Sequence, residues 1–252
     1  MNATARLAGM TALITGAARR GSIGRAIAKA LASEGADIAI NDHGRSEEAR
    51  EIVASLRELG RRAIAVEADV TKTTECRRLI DETIAGLGHL DILVNNAGFA
   101  QHKPFDQITE ADFDFSTYLH LKAPFFLSQF VAPHMRARGF GRIINISSEQ
   151  AYIGYAELVH YTATKGGLRT LSKSLALALA PEITVNTICP GPTATEKFKS
   201  GPEYRDDVRE KIILKRWVQP EDVGRSVVFL ASKDGDAFTG QTLDPNCGTV
   251  MP

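Results

Sequence analysis

The chain has only three cysteines in 252 residues, Cys76, Cys189 and Cys247. They are odd in number, far apart and without a CxxC pair. That excludes a disulfide framework and gives no zinc-type ligand spacing, so no metal is expected. A reducing, cytoplasmic setting is the expectation. Excess charge is missing too: 30 Lys and Arg balance 30 Asp and Glu. Bulk attraction to nucleic acid or to an anionic membrane therefore has no source. No apolar run approaches the roughly 18 residues of a membrane span. The opening stretch, MNATARLAGMTALITGAA, carries only Arg6 as a base and is interrupted by Gly9 and Thr11. It reads as a first strand rather than a signal peptide. Linker-like segments, charge blocks and solenoid-period repeats are also missing, so residues 1–252 read as one domain.

What is present is an ordinary globular composition, 44% hydrophobic and 24% charged. A chain this long buries roughly 70–75% of its unfolded surface and needs no staple. Short apolar runs alternate with helical patterns. Thr11 to Thr15, Asp37 to Asn41, Ala63 to Glu67, Ile92 to Asn95, Arg142 to Ser147 and Thr184 to Ile188 read as strands. Between them lie helical stretches: Gly24 to Glu34, Ser46 to Leu59, about Thr73 to Leu87, Glu110 to Arg138 and a helix within Tyr155 to Ala180. Two further helical stretches and a short strand near Thr242 finish the chain. Strands separated by helices imply right-handed crossovers and an α/β fold with a doubly wound, Rossmann-like parallel sheet. Such sheets bind ligands beyond the carboxyl ends of their strands.

The turn after the first strand runs Thr15-Gly16-Ala17-Ala18-Arg19-Arg20-Gly21-Ser22-Ile23-Gly24 and opens a helix. Glycines there allow backbone to approach a pyrophosphate, and the helix N-terminus offers free N–H groups. Asp42 ends the second strand, where a carboxylate accepts from ribose hydroxyls. By itself this corner reads equally well as a steric glycine turn followed by a turn aspartate.

Four further segments occur in order. Asn95-Asn96-Ala97-Gly98 closes the fourth strand, and Ile144-Asn145-Ile146-Ser147-Ser148 closes the fifth. Tyr161-Thr162-Ala163-Thr164-Lys165 lies on the next helix, and Pro190-Gly191 follows the sixth strand. With these the chain resembles the short-chain dehydrogenases/reductases over nearly its full length. The 3-oxoacyl thioester reductases and the sugar or polyol dehydrogenases of that family are the most similar. The resemblance implies a nicotinamide-dependent oxidoreductase acting on a secondary alcohol or ketone, with a small-molecule substrate and a homo-tetrameric state.

The resemblance also implies roles. Tyr161 exchanges a proton with substrate, Ser148 hydrogen-bonds the reacting oxygen, and Lys165 holds the nicotinamide ribose and tunes the phenol. Tyr161 and Lys165 are one helical turn apart. A free tyrosine, near pKa 10, is a poor base at neutral pH, so the neighbouring ammonium is expected to draw it down. Gly16, Arg20, Ser22, Ile23 and Gly24 would meet the pyrophosphate. Asp69 and Val70, at the end of the third strand, would meet the adenine. Asn96, Ala97 and Gly98 would bring backbone to the adenosine side, and Pro190, Gly191 and Thr195 would wall the nicotinamide side.

Three departures stand out. The glycine span from Gly16 to Gly24 is two residues longer than the family's, with Ser22 near the middle-glycine place. His120 occupies the slot of an asparagine that helps hold a water in a proton relay to the lysine; the imidazole either takes over that work or is a satisfied helix histidine. Cys247-Gly248 stands for a Gly-Gly pair. Asp42 favours NAD over NADP, a preference that His43, Arg45 and Arg20 soften. Glu149 to His160 and Thr195 to Trp217 border the substrate, and their polar content tilts toward a sugar, polyol or secondary alcohol. A dinucleotide-binding sensor or scaffold without turnover is the competing reading.

Overall fold

The computed structural model describes residues 5–252, so Met1 to Thr4 of the expected 1–252 domain lie outside it. Seven parallel strands form one sheet: β1 (Thr11–Thr15), β2 (Asp37–Asp42), β3 (Ala63–Glu67), β4 (Ile92–Asn95), β5 (Gly141–Ile146), β6 (Ile183–Ile188) and β7 (Thr242–Leu243). Their order is β3-β2-β1-β4-β5-β6-β7. Chain direction across the sheet reverses between β1 and β4, which opens a crevice above their carboxyl ends.

Helices cover both faces. They are α1 (Ile23–Ser33), α2 (Ser46–Glu58), α3 (Thr73–Leu87), α4 (Glu110–Thr117), α5 (Ala123–Arg138), α6 (Val159–Leu179), α7 (Glu196–Lys199), α8 (Asp206–Arg209) and α9 (Pro220–Ala231). The central strands β1, β4 and β5 are buried throughout. That is why they read as continuous apolar runs rather than alternating ones. Successive side chains still point to opposite faces. Ala12 and Ile14 join the α1, α2 and α9 layer, with Ile27, Leu31, Ile52 and Val227. Leu13 joins the other layer, with Leu79, Leu127, Ile143 and Val185.

The long helical stretch from Glu110 to Arg138 is interrupted by a π turn at Tyr118–Lys122. Proline is the reason at the level of sequence. Pro124 has no N–H to give the His120 carbonyl four residues back, and its ring crowds that carbonyl. The ladder widens, and the Ala123 amide bonds to the Tyr118 carbonyl instead.

Polar links fix α6 against the sheet. Asn95 Nδ2 donates to Asn145 Oδ1 at 2.8 Å, and Asn145 Nδ2 donates to Ser172 Oγ at 2.8 Å. Ser147 Oγ donates to the Lys165 carbonyl at 2.8 Å. The first bond joins β4 to β5 and the other two run from β5 and its end to α6, so the helix cannot slide without stranding a buried polar group.

We expect Asn145→Ala to lower unfolding free energy by about 1–3 kcal/mol in urea titrations, because it strands the Asn95 amide and removes the link to Ser172 on α6.

Candidate active site

Above the β1/β4 reversal lies a cleft of about 420 Å³. Its floor is the corner between β1 and α1. Ser22 caps α1, its Oγ accepting from the Arg25 amide at 3.2 Å. Gly21, with φ +59°, takes the left-handed conformation. At Gly24 a Cβ would come within 2.5 Å of the Gly16 carbonyl oxygen and of Asn96 Nδ2, so only glycine lets the helix start this close to β1.

Asn96 is largely spent on the same corner. Its side chain donates to the Thr15 carbonyl at 2.8 Å and the Gly16 carbonyl at 3.1 Å. Thr15 Oγ1 in return accepts from the amides of Asn96 and Ala97, each at 3.0 Å. These bonds splay the β1 and β4 ends into a fixed mouth.

Asp42 stands at one end of the cleft. One carboxylate oxygen accepts from the Ala18 amide at 2.9 Å and the other from the His43 amide at 2.9 Å. Two backbone bonds aim the carboxylate and leave further lone pairs for a ligand. Arg20 reaches the cleft rim but pairs with Glu51. Arg45 pairs with Glu48 at 2.8 Å and lies 3.8 Å from Asp42. Asp69 lines the cleft, two residues beyond the end of β3 at Glu67. It accepts from the Thr71 hydroxyl at 2.6 Å, and its carboxyl is held below its ordinary range against the cost of burial.

Tyr161 and Lys165 line the opposite end. Lys165 is 3% exposed, and its Nζ donates to the Ile146 carbonyl at 2.8 Å. The ammonium lies 5.7 Å from the centre of the Tyr161 ring. Burial lowers the amine to about 8. Burial also pushes the phenol up to about 12, while a hydrogen bond from Ser148 pulls it the other way. The expectation that the ammonium draws the phenol down is therefore not met in the protein alone: desolvation outweighs charge.

Ser148, His120, Pro190 and Gly191 do not line the cleft itself; they stand behind its walls. Ser148 Oγ caps a short turn by accepting from the Gln150 amide at 3.2 Å. The Pro190 carbonyl accepts from the Glu149 amide at 3.0 Å, and the Gly191 amide donates to the Pro245 carbonyl at 3.2 Å. His120 is buried in the π turn beside Tyr161. Thr195 lines the cleft and caps α7, accepting from the Phe198 amide at 3.1 Å. Gly16, Ser22, Ile23, Gly24, Val70, Asn96, Ala97 and Gly98 also line it.

One wall residue, Phe99, was not anticipated; its sequence signal was position alone, directly after Gly98. The ammonium of Lys197, inside the anticipated Thr195 to Trp217 stretch, lies 3.7 Å from the centre of the Phe99 ring, and both line the cleft. Several polar groups expected to face a substrate are already engaged. The Tyr152 hydroxyl donates to Asp244 at 2.9 Å, that of Tyr155 donates to Glu203, and the Thr249 hydroxyl donates to Glu149. Phe198 and Trp217 pack at 5.2 Å between ring centres. Cys247, where a glycine pair was expected to be altered, holds φ +57°, a conformation that favours glycine. Among the described residues no cluster of metal-ligating side chains occurs, and no helix is long and apolar enough to cross a membrane.

A coenzyme of two nucleotides joined by a pyrophosphate fits these residues. The α1 N-terminus and its close-approach glycines suit phosphate, and Asp42 suits ribose hydroxyls. Comparison with known proteins agrees. A family profile described as enoyl-(acyl carrier protein) reductase matches residues 16–249. A 3-oxoacyl-(acyl-carrier-protein) reductase FabG of Staphylococcus epidermidis is 35% identical over 96% of this chain and 99% of its own. A hydroxynaphthalene reductase-like protein Arp2 of Metarhizium guizhouense is 35% identical over 97% of this chain and 96% of its own. Among solved structures, a 7α-hydroxysteroid dehydrogenase complexed with NADH and 7-oxo glycochenodeoxycholic acid superposes with TM-score 0.92 at 35% identity, covering 98% of this chain and 96% of the other. A short-chain dehydrogenase of Burkholderia cenocepacia in complex with NADP gives TM-score 0.90 at 35% identity, covering 96% and 98%.

The buried amine has a consequence for stability. Its proton affinity is lower in the folded chain than in the unfolded one, from 10.5 down to about 8. Between those values the unfolded chain binds a proton the folded chain does not, so this group's contribution to stability rises with pH across that window. Below it the full penalty stands. Lys165→Met is expected to be more stable than wild type at pH 7, by about 1–3 kcal/mol, and to lose that advantage by about pH 10.5. Denaturant titrations at the two pH values check this.

Proposed function

The chain belongs to the short-chain dehydrogenase/reductase family and is an NAD(P)-dependent oxidoreductase; from that premise we propose that it interconverts a ketone and a secondary alcohol, with Tyr161 giving or taking the proton of the reacting oxygen. The observation that carries this is that Tyr161 and Lys165 line one end of a cleft whose other end holds Asp42, with Ser148 hydrogen-bonded to the phenol from behind the wall. When bound, the nicotinamide coenzyme supplies or accepts the hydride. In the reducing direction Tyr161 starts protonated, since burial keeps its phenol neutral through the physiological range. The single hydroxyl hydrogen of Ser148, which eases loss of the phenolic proton in the unliganded protein, donates instead to the reacting oxygen when substrate is bound. Lys165 holds the nicotinamide ribose and places positive charge where the phenolate would form.

We propose Gly16, Ser22, Ile23 and Gly24 as the pyrophosphate cradle, with Arg20 at its rim. Asp69, Val70, Asn96, Ala97 and Gly98 form the adenosine wall, and Thr195, backed by Pro190 and Gly191, the nicotinamide wall. NAD is the preferred coenzyme in this reading. Asp42 presents a carboxylate where a 2′-phosphate would have to sit, and the nearby Arg20 and Arg45 are already paired with Glu51 and Glu48. The substrate is proposed to carry its carbonyl on an apolar body, as in 3-oxoacyl thioesters. Phe99, Ala100, Phe115 and Leu119 line the cleft, whereas Glu149, Tyr152 and Tyr155 are committed to Thr249, Asp244 and Glu203. That sets aside the tilt toward sugars and polyols. The proposed homo-tetramer would cover the exposed Phe113 and Phe125 of the α4–α5 stretch and Leu177 of α6; a monomer in sedimentation would exclude it. The three buried, unpaired thiols suit the proposed cytoplasmic location.

Tyr161→Phe is expected to bind NADH, by fluorescence titration, within a few-fold of wild type and to lose at least about 10³-fold in kcat. Wild-type protein that binds NADH yet turns over no ketone or alcohol in a broad panel would overturn the enzyme reading. In the reducing direction kcat/KM should fall as pH rises through about 8, where free-enzyme Lys165 loses its proton. A flat profile to pH 9.5 would contradict that assignment. Asp42→Ser should shift the NAD-to-NADP ratio of kcat/KM toward NADP by about tenfold or more.

A further inference from the structure

We propose that His120 is a positioning residue that ties the Tyr161 turn of α6 to the loop after β4, with both ring nitrogens committed to the protein rather than to proton transfer. The proposal rests on the reading of Tyr161 as the proton carrier.

The imidazole is 1% exposed. Its Nε2 lies 3.2 Å from the Phe99 amide. A backbone N–H can only donate, so Nε2 must present its lone pair. The ring proton of the neutral imidazole then sits on Nδ1. Nδ1 lies 3.1 Å from Thr164 Oγ1, and that hydroxyl donates onward to the Tyr161 carbonyl at 2.8 Å. Every hydrogen in the chain from Phe99 to Tyr161 thus has one place. A second ring proton would have to enter at Nε2, facing the Phe99 N–H and breaking that link.

The titratable groups that face the ring work in the same sense. They are Lys165, His160 and Tyr161, all on α6; the first two carry no negative charge, and burial holds the Tyr161 phenol neutral. The loop after β4 contributes only its amide. Burial comes first among the causes that hold the imidazole well below its ordinary range.

Three parts of the site meet at this one side chain. The ring stands edge-on to the Tyr161 ring, 5.2 Å between centres at 89°. That contact sets the plane of the phenol. Thr164 lies on the turn between Tyr161 and Lys165. Phe99 lines the cleft and stacks with Lys197. The imidazole spans Phe99 and Thr164 with its two ring nitrogens.

The test begins with wild-type protein labelled with ¹⁵N-histidine and followed from pH 5 to 8, with His120→Gln used for assignment. His120 is expected to show the Nδ1–H tautomer and not to titrate. An Nε2–H tautomer, or a titration inside that range, overturns the proposal. In kinetics, His120→Asn and Thr164→Val should each lower kcat about 5- to 50-fold. Coenzyme KM should stay within about twofold and the midpoints of the pH profile should stay in place. The double variant should be no worse than His120→Asn alone. If His120→Asn instead abolishes one limb of the kcat profile, the ring carries protons and the proposal fails. It fails equally if kcat is unchanged in both variants. Should His120→Asn not fold, Thr164→Val and the wild-type spectrum decide. Turnover surviving in Tyr161→Phe would sink the Tyr161 reading, whereas the tautomer reports on the strut alone.

Discussion

An ammonium sunk below the surface without a carboxylate beside it is the constraint on which the site depends. Among the described residues no acid pairs with Lys165; its recorded hydrogen bond is to the Ile146 carbonyl. Removing a cation from water costs several kcal/mol unless other groups replace the lost hydration. The fold accepts that cost by fixing the lysine from behind. Ser147 holds its carbonyl, and Asn145 holds Ser172 two turns further along α6. The amine and the neighbouring phenol are displaced in opposite directions by the same dry surroundings, one toward about 8 and the other toward about 12. Burial thus leaves a neutral phenol beside an amine that still carries its proton at neutral pH but gives it up near pH 8.

The architecture was legible in the sequence because parallel strands buried on both faces must be apolar throughout. β1 was bounded correctly, and the strands at Asp37, Ala63, Ile92 and Thr184 were found within a residue or so. Asp42 could be placed at a strand end because the run of apolar residues stops there. The third strand was bounded at Glu67 as β3 is, and Asp69 lies two residues beyond it.

Side-chain commitments were not legible. A hydroxyl or carboxylate near a pocket looks available until its partner is known, and the partners here are distant in sequence. Tyr152 meets Asp244, and Glu149 meets Thr249. The same holds for His120. Its place in the helix could be read from spacing, but the Phe99 amide and the Thr164 hydroxyl come together only in the fold. Desolvation was underweighted for a related reason. One turn of helix shows that a lysine is near a tyrosine, yet says nothing of the depth at which both lie.

The wide turn at Tyr118–Lys122 carries a bookkeeping of its own. A π turn is an α turn with one additional residue, and one residue advances a helix by about 100°. Excising a single residue there would take the surplus residue out of the turn while Pro124 still could not donate to the carbonyl four residues back. It would also rotate everything upstream by that angle relative to the sheet. Ser116, now facing inward, would swing away, and Phe113 and Phe115 would change compass bearing. The surplus residue therefore acts as a phase shifter between two amphipathic segments, which makes this short stretch intolerant of deletion even though it crosses no strand.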